Sequence, residues 1–158
     1  MKKLIFVFIL TIFTSNLYCQ NKPTYPEPKA GFKRVDLILP KVKDNKKYKV
    51  EISFSTEAEI VDCANGSFSF NRKSMKEEYA IPPYRYPYFI IENKAADILE
   101  SRDSDCKSEK KVKKKIYTGE VIMIEYQSYY PRPFYIPEDW TLEYRIWEVT
   151  DKYISVEK

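Results

Sequence analysis

The chain has 158 residues, 44% hydrophobic and 32% charged, the size of one ordinary domain with enough apolar content to bury a core. Its formal charge of only +4 gives no global field that would steer it to nucleic acid. The absence of histidine removes Ser-His-Asp and Cys-His catalysis and most zinc sites, and three scattered glycines leave no phosphate-cradling loop.

The first residues, MKKLIFVFILTIFTSNLYCQ, place Lys2 and Lys3 ahead of an apolar run from Leu4 to Phe13 and a polar shoulder. That is the layout of a secretory signal peptide, and the run is too short to span a bilayer. Residues 1–19 are read as the signal, and residues 20–158 as a single domain. A lipid-modified Cys19 is the rival reading, opposed by the bulky Tyr18 just before it. Removing residues 1–19 takes away two lysines and no acid, so the formal charge falls from +4 to +2.

Residues 20–33, QNKPTYPEPKAGFK, read as an irregular arm lying against the body. Alternating apolar positions then predict strands in RVDLILP, KYKVEISFST, AEIVDC, SFSF, YFIIE, IYTGEVIMIEY, WTLEYRIWEV and KYISVE. No helical periodicity competes, and the many Tyr, Phe and β-branched residues favour strands. The fold class is all-β: a compact antiparallel β-sandwich or barrel with long surface loops.

Three segments read as those loops: ANGSFSFNRKSMKEE (64–78), IPPYRYPY (81–88) and YQSYYPRPFYIPEDW (126–140). Tyr and Arg on proline-stiffened loops bury much area at little entropic cost, so they suit a contact surface, although any single aromatic is as well explained by covering the core. A fourth stretch, LESRDSDCKSEKKVKKK (99–115), lacks an apolar face and reads as loop grading into a strand near Val112. Its lysines have no aromatics among them and are read as a solvated face, not as a nucleic-acid patch.

Cys63 and Cys106 form an even pair in an exported chain and are expected to bond to each other, a link that contributes on the order of 4 kcal/mol by chain entropy. A pure staple is a sufficient reading of such a bond. Asp62, Glu100, Asp103 and Asp105 beside it read as solvated surface charge. Catalysis, cofactors and metal ions are not expected.

The order and spacing of YPEPKAGFKRVDLILP (25–40), VEISFSTEAEIVDC (50–63), the second cysteine with its trailing lysines, EYQSYYPRPFYIPED (125–139) and LEYRIWE (142–148) resemble the ecotin family, periplasmic inhibitors of trypsin-fold serine proteases. The resemblance implies a periplasmic protein that is free of the membrane after signal cleavage. It also implies a homodimer in which Trp147 to Lys158 reaches a second subunit. Leu99, Glu100, Ser101, Arg102, Asp103, Ser104 and Asp105 would form the reactive loop, supported by Asn65, Gly66 and Ser67. A secondary protease contact would comprise Tyr84, Arg85, Tyr86, Pro87, Glu125, Gln127, Tyr129 and Tyr130.

Ecotins place a methionine in the protease specificity pocket, and this chain has none between Met75 and Met123. Glu92 to Cys106 is also about two residues longer than in ecotins, which leaves two registers. Counting back from Cys106 without a gap selects Asp103. Setting the extra residue after the scissile bond selects Arg102, which is preferred because its guanidinium pairs with an acidic pocket while a carboxylate would be repelled there. The alternative function is a non-inhibitory binding module on the same scaffold, recognising a protein or glycan through its tyrosine loops.

Overall fold

Side-chain alternation runs unbroken from Tyr48 to Val61, with Val50, Ile52, Phe54, Ala58 and Ile60 buried on one face. The two segments expected there therefore fuse into one strand of 14 residues. The computed structural model describes residues 23–82, 85–92, 97–150 and 155. In these the strands are β1 (Phe32–Leu37), β2 (Tyr48–Val61), β3 (Asn65–Phe68), β4 (Met75–Tyr79), β5 (Pro87–Ile91), β6 (Ile98–Ser101), β7 (Lys111–Thr118), β8 (Ile122–Glu125), β9 (Arg132–Pro137) and β10 (Thr141–Glu148). Single 3-10 turns at Asn45–Lys47 and Arg72–Ser74 are the helical pieces among the described residues. The expected signal segment, Cys19 and most of the expected strand KYISVE (152–157) fall outside them.

One sheet has the order β1-β9-β5-β4 and the other β10-β2-β7-β3-β6, with β8 also paired to β2. The chain is all-β as expected. The pairings are antiparallel except for β3 with β7 and β5 with β9. Phe54, Phe68 and Phe70 surround Trp140 at centroid distances of 5.6, 4.9 and 6.1 Å, and Phe89 stacks on Phe134 at 4.8 Å. With Ile52, Ile60, Ile91, Ile116, Ile122 and Ile136 they form one core, each such side chain contributing about 1.5–3 kcal/mol by burial.

The stretch IYTGEVIMIEY is one run with an interruption. Tyr117 faces Ser55 and Ile122 faces Ile52, so five steps along this run match three along β2. Gly119 and Glu120 take up the excess as a bulge. Thr118 repairs the broken ladder: its Oγ1 accepts the Phe54 N–H at 3.3 Å and lies 3.2 Å from Ser53 Oγ.

The stretch YQSYYPRPFYIPEDW is not the loop expected from its prolines, because all six residues of β9 are buried. Phe134 and Ile136 enter the core, while Tyr135 donates its hydroxyl to Pro26 O of the irregular arm at 2.5 Å. β9 pairs with β5 only at Phe134 and Tyr135, between Pro133 and Pro137, so the missing N–H groups cost little pairing on that side. β4 and β6 also replace expected loop, while β3 overlaps the strand expected at SFSF but starts two residues earlier, at Asn65, inside the segment read as loop. Four of the five β4 side chains and all four of β6 are exposed, so no alternation marks them in the sequence.

Gly66 shows how tightly β3 is pressed onto its neighbours. A Cβ there would lie 2.6 Å from Ile116 Cγ2 and 2.7 Å from Ile60 Cδ1, both on fully buried side chains. Gly66→Ala is expected to destabilise the fold by about 1–3 kcal/mol through overpacking. Urea unfolding should show a lower midpoint with an unchanged slope.

Candidate functional site

β2 ends at Val61 and enters a tight turn closed by Ala64 N–H to Val61 O at 3.0 Å, with Cys63 at its exposed tip. Cys63 is disulfide-bonded to Cys106 with the Cα atoms 5.6 Å apart. Cys106 closes its own turn by donating its N–H to Asp103 O at 3.0 Å, and Asp62 N–H to Lys110 O at 2.9 Å ties the far side. The expected disulfide is present.

β6 runs antiparallel to β3, with Leu99 facing Ser67, Glu100 facing Gly66 and Ser101 facing Asn65. The expected reactive and supporting segments are thus brought into direct contact. Leu99 to Ser101 form a strand, not a loop, because β3 supplies a ladder. Beyond them Arg102, Asp103, Ser104 and Asp105 are exposed. Among the described residues β6 is the last strand of its sheet, and none of them pairs with its other backbone edge.

Glu100 is more than surface charge. Its Oε2 accepts the Val61 N–H at 3.3 Å and its Oε1 accepts Arg102 Nε–H at 2.7 Å. The Arg102 hydrogen bond, assisted by that backbone N–H, holds its carboxyl below the usual carboxylate range. Arg102 also donates to Glu109 Oε1 at 3.3 Å, a contact not anticipated from the sequence.

Of the expected secondary contact residues, Tyr84 lies outside the described residues. Tyr86 and Tyr130 come together with ring centroids 4.2 Å apart, and Arg85 lies over the Tyr79 ring at 5.5 Å. Pro87 opens β5, and Tyr129 is 76% exposed. Gln127 accepts from Asn45 Nδ2 at 3.4 Å, and Glu125 pairs with Lys49.

The sequence reading missed Arg132, which is 8% exposed and donates to Glu125 O at 3.2 Å. Its guanidinium lies 5.9 Å from the Phe89 ring centroid, and burial pulls its pKa down. The signal available was a lone charge heading an apolar run, RPFYIP. Lys113 and Lys115 of the lysine block stand opposite Glu59 and Glu57, and Lys115 pairs with Glu143, in keeping with a solvated, charge-balanced face.

Among the described residues no cluster of His, Cys, Asp or Glu could hold a metal ion, and no helix is long and apolar enough to cross a membrane. A family model described as Ecotin matches residues 21–149. The chain is 27% identical over 136 residues to an ecotin-like protein of Methylobacillus flagellatus, covering 85% of this chain and 80% of that one. It is 30% identical over 130 residues to an ecotin of Pseudomonas fluorescens, covering 81% and 77%, and 25% identical over 136 residues to an ecotin of Serratia proteamaculans, covering 85% and 76%. With a family match spanning most of its length and a disulfide that joins the β2–β3 turn to the segment after β6, the chain belongs to the ecotin family of protease inhibitors.

Proposed function

We propose that this protein inhibits trypsin-fold serine proteases by offering residues 99–105 to the active site as a substrate would be offered. One observation carries the reading. An exposed edge strand, Leu99 to Ser101, leads directly into a turn that Cys106 and Cys63 bind to the body. A protease accepts extended backbone, and a segment already held in that shape avoids most of the ordering cost that a flexible peptide incurs.

Arg102 enters the specificity pocket in this reading. Its ion pairs with Glu100 and Glu109 are partly solvated, with the Arg102 side chain 39% exposed, so exchanging them for a pocket carboxylate costs little. Attack by the protease serine on the Arg102 carbonyl would form an ester and free the Asp103 amine. That amine, still tethered through Cys106, can attack the ester, rebuild the peptide and return the serine hydroxyl. Religation then competes with hydrolysis. Tyr86 and Tyr130, with Arg85, Pro87, Glu125, Gln127 and Tyr129, would supply the second contact, as aromatic and arginine anchors commonly do.

Export to the periplasm and a dimer joined through Trp147 to Lys158 belong to the same reading; Trp147 and Glu148 are the end of β10, an edge strand among the described residues, and stand opposite Lys49 and Tyr48 of the same chain, so the exchange would start beyond them. A second reading, a binding module without inhibitory activity, is favoured by Arg102 already being held by Glu100 and Glu109.

Titrating the mature protein against trypsin, chymotrypsin and elastase separates the two readings. Stoichiometric loss of activity in at least one supports inhibition, and no effect on any moves the assignment to the binding module. Arg102→Asp should weaken trypsin inhibition by roughly 100-fold or more, while Asp103→Ala should change it by less than about threefold. The reverse pattern would place Asp103 in the pocket. Replacing Cys63 and Cys106 by serine should turn residues 99–105 into a readily cut substrate, seen as fast appearance of two fragments on a denaturing gel.

A further inference from the structure

We infer that Lys114 is a positioning residue for the bait segment, locking the turn that carries Cys63 and so setting whether a bound protease is inhibited or fed. This rests on the inhibitor reading above. A disulfide restricts a separation, here 5.6 Å between Cα atoms, but does not by itself fix the backbone of the two turns it joins. The turn at Cys63 has one backbone hydrogen bond of its own, Ala64 N–H to Val61 O.

Lys114 supplies the rest. Its ammonium donates to Asp62 O at 2.6 Å and to Ala64 O at 2.9 Å, the two carbonyls on either side of Cys63. Charge-assisted hydrogen bonds of this length are roughly twice as strong as neutral ones. Strand parity explains why this lysine alone does so. Along β7, Lys111, Lys113 and Lys115 point outward, whereas Val112, Lys114 and Ile116 share the other face. Lys113 and Lys115 stand opposite Glu59 and Glu57, but Lys114 stands opposite Ala58, with no carboxylate to draw it away.

Glu100 grips the same junction from the bait side through the Val61 N–H at 3.3 Å. Residues 61 to 64 are therefore held by β6 on one side and by β7 on the other. Cys106 and the turn at Asp103 inherit that rigidity through the sulfur bridge. With the ammonium gone, two carbonyls lose their donor and the anchor gains freedom. The amine released by cleavage then spends less time near the acyl-enzyme, and water more often hydrolyses the ester to the free acid and the serine hydroxyl.

The test compares Lys114→Met, Lys114→Arg and Lys113→Met with the wild-type protein, using trypsin as the probe. Three quantities are read: inhibition constant, rate of bait cleavage per bound enzyme, and melting temperature. Lys114→Met should raise the cleavage rate and the inhibition constant by about tenfold each with the disulfide intact by thiol titration, Lys114→Arg should restore both to within about threefold, and Lys113→Met should change neither. An unchanged cleavage rate or an unchanged inhibition constant in Lys114→Met, or the same loss in Lys113→Met, overturns the inference. Amide exchange of Ala64 and Cys106 gives a readout independent of any protease and should quicken about tenfold in Lys114→Met. Unchanged exchange overturns the inference, whereas a wild-type protein that inhibits nothing overturns the inhibitor reading and leaves the exchange result to decide the role of Lys114.

Discussion

The pairing of β2 with β10 on one edge and with β7 and β8 on the other orders most of the second sheet. Its inward side chains, from Val50 to Ile60, tie that ladder to the core, so the strand cannot slide by one residue without turning its apolar row to solvent. A fixed register along β2 fixes where its last residue lies. That residue, Val61, adjoins the turn bearing Cys63 and receives Glu100. The core thereby controls the coordinates of a segment that has almost no buried area of its own.

Much of this was legible in the sequence where apolar and polar residues alternate, even where, as at Glu51 and Ser55 of β2, the second face is covered too. β1, β2, β5, β7, β8 and β10 follow from apolar residues at every second position, and the disulfide follows from an even pair of cysteines in an exported chain. What failed were strands without that alternation, buried throughout or largely exposed. β9 carries two prolines and reads as loop until the arm on one side and the core on the other are seen to enclose it. β4 and β6 are exposed, and they exist because β5 and β3 lie beside them, a fact of pairing that no local pattern records.

The candidate site was legible to a similar extent. Proximity of Asn65–Ser67 to Leu99–Ser101 was anticipated and is observed as strand pairing. The charged contacts around it were not, since Glu109 meets Arg102 only because the chain doubles back after Cys106, and Lys114 reaches the Cys63 turn only because of its parity on β7. Arg132 escaped for another reason: a guanidinium among buried aromatics breaks the usual partition of charge to the surface and has to be found by its surroundings.

An unpaired strand rim is also a hazard, because its row of amide donors and carbonyl acceptors will zip onto any stretched polypeptide, a sister molecule included. In β6 and just past it the chain sets Glu100, Arg102, Asp103 and Asp105, formal charges that a parallel, in-register stack of copies would bring face to face with their own kind. Indiscriminate fibre growth along that rim is thereby discouraged. A cleft that surrounds one strand and offers counter-charges meets no such penalty, so the same row of charges that keeps copies of this chain apart leaves the rim open to a single shaped visitor.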